Sequence, residues 1–277
     1  MFSTSTSTRA LVPAVILSLA TAAMLTGCTP AAPNAPVGGA AEPGSSAPAA
    51  TSTPAVPDEP DAAADPYATI SSYYPVAKGN TWTYEMKLGK PIGTVTETET
   101  MTKLEPEGDG VRVTIERSYD YGSSSIKDMK DSVVYVFHKD GSLEVPYQSL
   151  PTGEGATVTV KKGNLLWPTT DEFESKVKKK GTITASIKSS TGKFDEKIAF
   201  TIQGKGTKSV TVPFGTFDAR VLDQSLSVSI PKLGVKGISI RTTSWLAEGV
   251  GMVKTEVPGP TGGKPITVEL VKFTPGS

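Results

Sequence analysis

The feature that most constrains this chain is a period of two. From residue 81 onward, apolar side chains recur at every second position: Trp82, Tyr84, Met86 and Leu88 alternate with Thr81, Thr83, Glu85 and Lys87. The same alternation returns in Val111, Val113, Ile115; in Ile183, Ala185, Ile187; in Ile198, Phe200, Ile202; in Leu226, Val228, Ile230; and in Ile266, Val268, Leu270. Successive side chains of a strand point to opposite faces, so each run specifies a strand with one buried face. Polar turn signals such as Glu107-Gly108-Asp109-Gly110, Lys139-Asp140-Gly141 and Pro258-Gly259-Pro260 separate the runs. The expectation is an all-β domain of ten or more strands in a large antiparallel sheet. A sheet that size curls, closes or splits. A strongly curved, half-barrel or barrel-like sheet is the first choice and a β-sandwich the alternative.

Some segments depart from the rule. Val95, Glu97, Glu99 and Met101 share one face opposite a row of threonines, so this strand is expected at an edge or facing solvent. Val133 to Phe137 is apolar on both faces and is expected to be covered on both. Phe217, Ala219 and Val221 use odd positions whereas Leu226 to Ile230 use even ones, which places a bulge or bend near Asp223 to Ser225. Helical patterning is confined to a turn or two at Ser125–Asp131 and Asp171–Lys179.

Upstream of the sheet the composition is of another kind. Residues 1–27 read as a secretion signal: Arg9 is the one charge before an apolar run from Leu11 to Leu25, about 15 residues long and short of the roughly 20 that span a bilayer. The run ends in Leu25-Thr26-Gly27-Cys28, which resembles the lipobox of bacterial lipoproteins. That resemblance implies cleavage between Gly27 and Cys28 and a diacylglyceryl group, with palmitate-type acyl chains, on the Cys28 thiol. Two acyl chains anchor stably where one does not. Residues 29–66 are rich in Ala, Pro, Gly, Ser and Thr and nearly devoid of large apolar side chains, the composition of a disordered tether. Its Ser, Thr and Pro also resemble O-glycosylated stalks. Residues 67–277 are read as a single domain. The localisation expected is the extracytoplasmic face of the cell membrane, lipid-anchored, with a tether of actinobacterial, Gram-positive type.

Charge and chemistry then narrow the function. Lys and Arg number 28 against 28 Asp and Glu, scattered along the domain, which argues against a nucleic-acid partner. The local run Lys176, Lys178, Lys179, Lys180 reads as a solvated loop or strand edge ahead of an anionic-lipid contact. Cys28 is the sole cysteine, and as a lipidated residue it leaves the domain no thiol nucleophile, disulfide or cysteine metal ligand. His138 is the sole histidine and no Gly-x-Ser-x-Gly elbow accompanies it, so neither a Ser-His-Asp triad nor a zinc site is expected. Glu105, Glu107 and Asp109 lack calcium-loop spacing. No catalytic residue, metal or cofactor is assigned.

Three stretches carry a second resemblance. Tyr73-Tyr74-Pro75 followed by Gly79-Asn80-Thr81-Trp82-Thr83-Tyr84 opens the domain; Pro213-Phe214-Gly215-Thr216-Phe217 precedes a long strand; Trp245-Leu246-Ala247 leads into Gly249-Val250-Gly251-Met252-Val253-Lys254. Together they resemble a loose set of bacterial secreted proteins and lipoproteins with no assigned reaction. Their domains are similar in outline to the curved half-barrels of lipoprotein carriers and mycobacterial lipid-binding lipoproteins. The glycines are read as turn positions, and Trp82, Tyr84 and Trp245 as core side chains beneath the sheet. What the resemblance implies is a non-catalytic binding module for a lipid or other apolar ligand. A structural or protein-interaction module of the cell envelope is the alternative, and an unrecognised hydrolase ranks below both.

Overall fold

The computed structural model describes residues 67, 71, 73–89, 93–122, 128–147, 156–189, 192–259 and 265–276. They fall in one of the chain's two compact units. The leader, Cys28 and the tether lie outside the described residues.

Thirteen strands follow one another. They are β1 (Thr81–Gly89), β2 (Gly93–Glu107), β3 (Gly110–Asp120), β4 (Met129–Phe137), β5 (Leu143–Val145), β6 (Thr157–Lys162) and β7 (Leu165–Leu166). A short helix, α1 (Thr170–Glu174), leads to β8 (Lys178–Ser189), β9 (Gly192–Val212), β10 (Gly215–Ile230), β11 (Val235–Ala247), β12 (Gly251–Val257) and β13 (Ile266–Thr274). All belong to one sheet, in the order β6, β8, β9, β10, β11, β12, β13, β1, β2, β3, β4, β5, β7, and neighbouring strands pair antiparallel. The all-β, strongly curved sheet read from the alternation is the architecture found.

The curvature follows from connectivity. β6 ends the sheet on one side and β7 on the other, yet only Gly163 and Asn164 separate them in the chain. Three Cα steps reach at most about 11 Å, whereas thirteen strands laid flat would span roughly 57 Å. The sheet must therefore roll until its two ends nearly meet, without a ladder to close them. Gly163 makes the crossing with φ 81°, and a Cβ there would sit 2.2 Å from the Thr182 carbonyl oxygen.

One face of the rolled sheet supplies a single apolar cluster, with Trp82, Tyr84 and Met86 from β1, Val113 and Ile115 from β3, Ile198 and Ile202 from β9, and Val268 and Leu270 from β13. The two-sided strand behaves as its sequence implies: Val133, Tyr135, Val136 and Phe137 are buried and Val134 half-buried. Helix α1 is set by a capping box, the Thr169 hydroxyl accepting from Glu172 N at 3.2 Å while Glu172 Oε2 accepts from Thr169 N at 2.9 Å. Chain has already turned to strand by Lys178, so the helical signal at Asp171–Lys179 is one turn only, and the other falls partly on β4 and partly outside the described residues.

Three expectations are corrected. β2 is not an edge strand: it lies between β1 and β3 and its Val95, Glu97, Glu99 and Met101 face is buried. β10 itself keeps its alternation: Val221 is buried on the outer face beside its partner Trp245 and Leu222 on the core face, so the irregularity lies opposite Val221, ahead of Asp223. The extra residue is on β9, where Lys205 and Gly206 oppose Val221 alone, and Gly206 takes φ 83° as such bulges require. Trp245 is not beneath the sheet. On β11 it alternates with the buried Thr242, Ser244 and Leu246, so it stands half-buried on the opposite face with Lys254 5.2 Å from its ring centre.

Candidate functional site

The inner face is largely apolar, and most of its buried charges sit together on β2 and β3. Cross-strand register aligns Trp82, Glu99, Arg117 and Asp131 in one row over β1 to β4, and Tyr84, Glu97, Tyr119 and Met129 in the next. Glu97 and Glu99 are each 7 % exposed and Arg117 3 %. Arg117 makes a forked pair with Asp131, Nε to Oδ1 at 2.7 Å and Nη2 to Oδ2 at 3.0 Å. Its guanidinium also lies 5.8 Å from the Tyr119 ring centre. One arginine thus serves three carboxyl groups.

That imbalance governs protonation. Burial, reinforced by Glu97 and only partly offset by Arg117, pushes the Glu99 carboxyl up to about 8. Burial also raises Glu97, again against the pull of Arg117. The phenols of Tyr74, Tyr84, Tyr119 and Tyr135 are raised by burial and the neighbouring carboxylates. Both carboxyls are thereby shifted toward their protonated forms. Glu97 and Glu99 spring from Cα atoms about 7 Å apart along β2, and paired carboxylates are the groups that cleave glycosides. Such chemistry needs access, and this pair is enclosed by aromatic rings.

A second enclosed acid lies on β9. Glu196 is 1 % exposed and accepts a hydrogen bond from the Tyr147 hydroxyl through Oε2, while Oε1 finds no partner among the described residues. Burial pushes its carboxyl up to about 7.

The sequence motifs meet across the chain. Trp82 Nε1 donates to the Val250 carbonyl at 2.6 Å and Tyr84 Oη to the Met252 carbonyl at 3.0 Å, which joins Gly79-Asn80-x-Trp82-x-Tyr84 to Gly249-Val250-Gly251. Gly251 has φ 96°, and a Cβ there would reach Trp82 and Tyr74 at 3.5 Å. Gly249, at the turn before it, has φ 70°. Asn80 is buried and bridges two remote backbones, Nδ2 donating to Pro75 O at 2.8 Å and Oδ1 accepting from Gly276 N at 2.7 Å. Gly79 N donates to the Met101 carbonyl at 2.8 Å. Phe214 and Phe217 stack at 6.1 Å around Gly215 at the tip of the β9–β10 hairpin, away from this junction in sequence but tied to β13 by Phe214 N to Leu270 O at 3.1 Å. His138 is half-buried beside Asp109 Oδ1 at 3.2 Å, with Glu144 3.7 Å from its other ring nitrogen. Glu107 pairs with Arg112, and Glu105 with Lys103 at 2.9 Å, so the acidic turn is used in ion pairs.

Among the described residues, the cavity found on the inner face is small. A partly open cavity beside Tyr74, Phe137, Leu143, Trp167 and Phe173 measures about 30 Å³, whereas pockets for organic ligands run from about 300 Å³. Trp82, Tyr74 and Phe137 fill the volume an apolar ligand would need, their rings 5.3 and 5.6 Å from one another.

Sequence reasoning missed the buried acids because it weighed β2 alone. The signal was on β3, where Arg117 continues the apolar face of Val113 and Ile115 and so demands a buried counter-charge.

Residues 77–258 match the family model described as DUF3108-like. No curated protein matches the sequence. Among solved structures, a candidate lipoprotein of Parabacteroides distasonis is similar over 74 % of this chain and 99 % of its own, at 16 % identity and TM-score 0.53. A candidate exported protein of Bacteroides fragilis, of YmcC-like fold, is similar over 74 % of this chain and 100 % of its own, at 12 % identity and TM-score 0.50. These similarities are of fold. Neither organism is actinobacterial, so they lend no support to a Gram-positive envelope.

Proposed function

The chain belongs to the DUF3108-like family, and we propose that it is an extracytoplasmic lipoprotein, held to the membrane through Cys28, whose folded part is a non-catalytic interaction module of the cell envelope. The anchor is supported by Leu25-Thr26-Gly27-Cys28 at the end of an apolar leader. The interaction reading rests on one observation: among the described residues the inner face is occupied by the chain's own side chains, including its buried acids, and the cavity beside Tyr74 and Phe137 holds about 30 Å³. Binding must then use the outer face or the strand edges. An apolar ligand, the other reading of the sequence, would have to displace Tyr74, Trp82 and Phe137.

Metabolic labelling with an alkyne analogue of palmitate tests the anchor. The native chain takes up label and partitions into detergent; Cys28→Ala does neither. Label retained by Cys28→Ala would overturn the assignment. Organic extraction of protein purified from its own membrane tests the module: no stoichiometric lipid is expected beyond the anchor, and recovery of one per chain would restore the carrier reading.

A further inference from the structure

Charges that look scattered along the sequence are segregated in the fold. Residues 156–247, which form β6 to β11 and α1, hold fifteen Lys and Arg against seven Asp and Glu, a net of +8. Residues 73–147, which form β1 to β5, hold nine against twelve, a net of −3. Register then places the cations. Lys180, Thr201, Ser225 and Arg241 form one row across β8 to β11; Thr182, Ala199, Ser227 and Ser239 form the next; Lys162, Thr184, Lys197 and Ser229 form a third across β6 to β10. Each strand advances by two residues between rows, so all these side chains share the face opposite the core. Rows are about 7 Å apart and strands about 4.8 Å. The result is a field of short hydroxyl and methyl side chains, low enough to meet a flat surface, with long cationic side chains among and around it.

The cations of this face are in surplus. Its acids are already engaged, Asp195 with Lys161 at 2.6 Å and Asp223 with Lys205 at 3.4 Å. Lys162, Lys178, Lys180, Lys193, Lys197 and Arg241 are exposed and have no carboxylate within ion-pair distance among the described residues. Lysines that guard a sheet against aggregation belong on edges. Lys197 is on β9, paired on both sides, so edge protection does not explain it. Like charges gathered on one face repel, and the arrangement is relieved by an anionic partner of matching extent.

We propose that the outer face of β6 to β11 docks on the anionic phospholipid headgroups of the membrane that holds the Cys28 anchor, laying the domain on its basic side. The proposal rests on the anchored reading for proximity alone; the tether would keep the face within reach of the bilayer. Binding is electrostatic, about fivefold per cation at low salt, and is screened when the Debye length falls from about 10 Å at 0.1 M salt to about 3 Å at 1 M.

The test uses the lipidated protein reconstituted into vesicles of phosphatidylcholine alone or with a third phosphatidylglycerol, with lysine acetylation read site by site by mass spectrometry. Lys178, Lys180 and Lys197 are expected to react at least fivefold more slowly on the anionic vesicles, with the difference lost at high salt. Lys87 and Lys103, exposed on the other half of the sheet, serve as controls and should not change. A Lys180→Glu, Lys197→Glu, Arg241→Glu chain, its fold checked by circular dichroism, should lose the protection of Lys178. Equal acetylation on both vesicles overturns the proposal. So does protection by soluble poly(glycerol phosphate) on neutral vesicles equal to that on anionic ones, which would assign the face to an envelope polymer. Failure of the anchor is seen separately, as protein that leaves neutral vesicles; sedimentation of that protein with anionic vesicles then reads the docking by itself.

Discussion

Glu99 is where the fold meets pH most directly. A carboxyl whose folded pKa exceeds its unfolded one favours the fold below the unfolded value and loses that contribution as pH rises through the folded one. With Glu99 pushed up to about 8 and Glu196 to about 7, stability should fall between about pH 5 and pH 9. Glu107, Asp140 and Glu172 are lowered by their partners and act in the other direction, losing their contribution only as pH drops below about 4. Urea unfolding of Glu99→Gln should therefore match the native chain at pH 5 and exceed it by about 2–4 kcal/mol at pH 9. A difference that does not change with pH would show that Glu99 is not buried as a neutral acid. Arg117 is the complementary case. Arg117→Met leaves Asp131 and Glu97 without their cation and should cost about 3–5 kcal/mol, much of it regained when Asp131→Leu is added.

Strands β1, β2 and β12 show what a single sequence makes legible and what it does not. Trp82, Tyr84 and Met86 were readable because one whole face of β1 is apolar. Glu97 and Glu99 were not, since what buries them is Arg117 on the next strand and Asp131 on the one after, and no reading of β2 contains either. Trp245 misled for the opposite reason. Its strand buries Thr242 and Ser244 on the core side, where the Ser244 hydroxyl meets Thr255 Oγ1 at 3.0 Å, so hydrophobicity points to the wrong face. The glycine-rich hairpin before β12 was recognisable as a turn, but its partner 168 residues away was not. That clasp is testable. Asn80→Ala removes the bonds to Pro75 and Gly276 and should cost about 1–3 kcal/mol. Gly251→Ala forces an alanine to φ 96° and should cost about 1–3 kcal/mol as well. Denaturant midpoints unchanged by either substitution would remove the clasp from the account.

At the scale of the molecule, a rolled sheet of thirteen strands nearly closes on itself and fills its interior with aromatic and aliphatic side chains. The alternation of the sequence carried that architecture. The crossing from one end of the sheet to the other through Gly163 and Asn164, and the rows of cations on the outer face, arise from register and appear only when the strands are paired. With the interior filled by the chain's own side chains, the proposed module acts through its surface, and the proposed Cys28 anchor would decide where that surface is held. The direct test is the mass of the N-terminal peptide of the mature protein taken from its native membrane. A peptide beginning at Cys28 with two or more acyl chains on that residue is expected. An N-terminus elsewhere, or Cys28 with a free thiol, would contradict it.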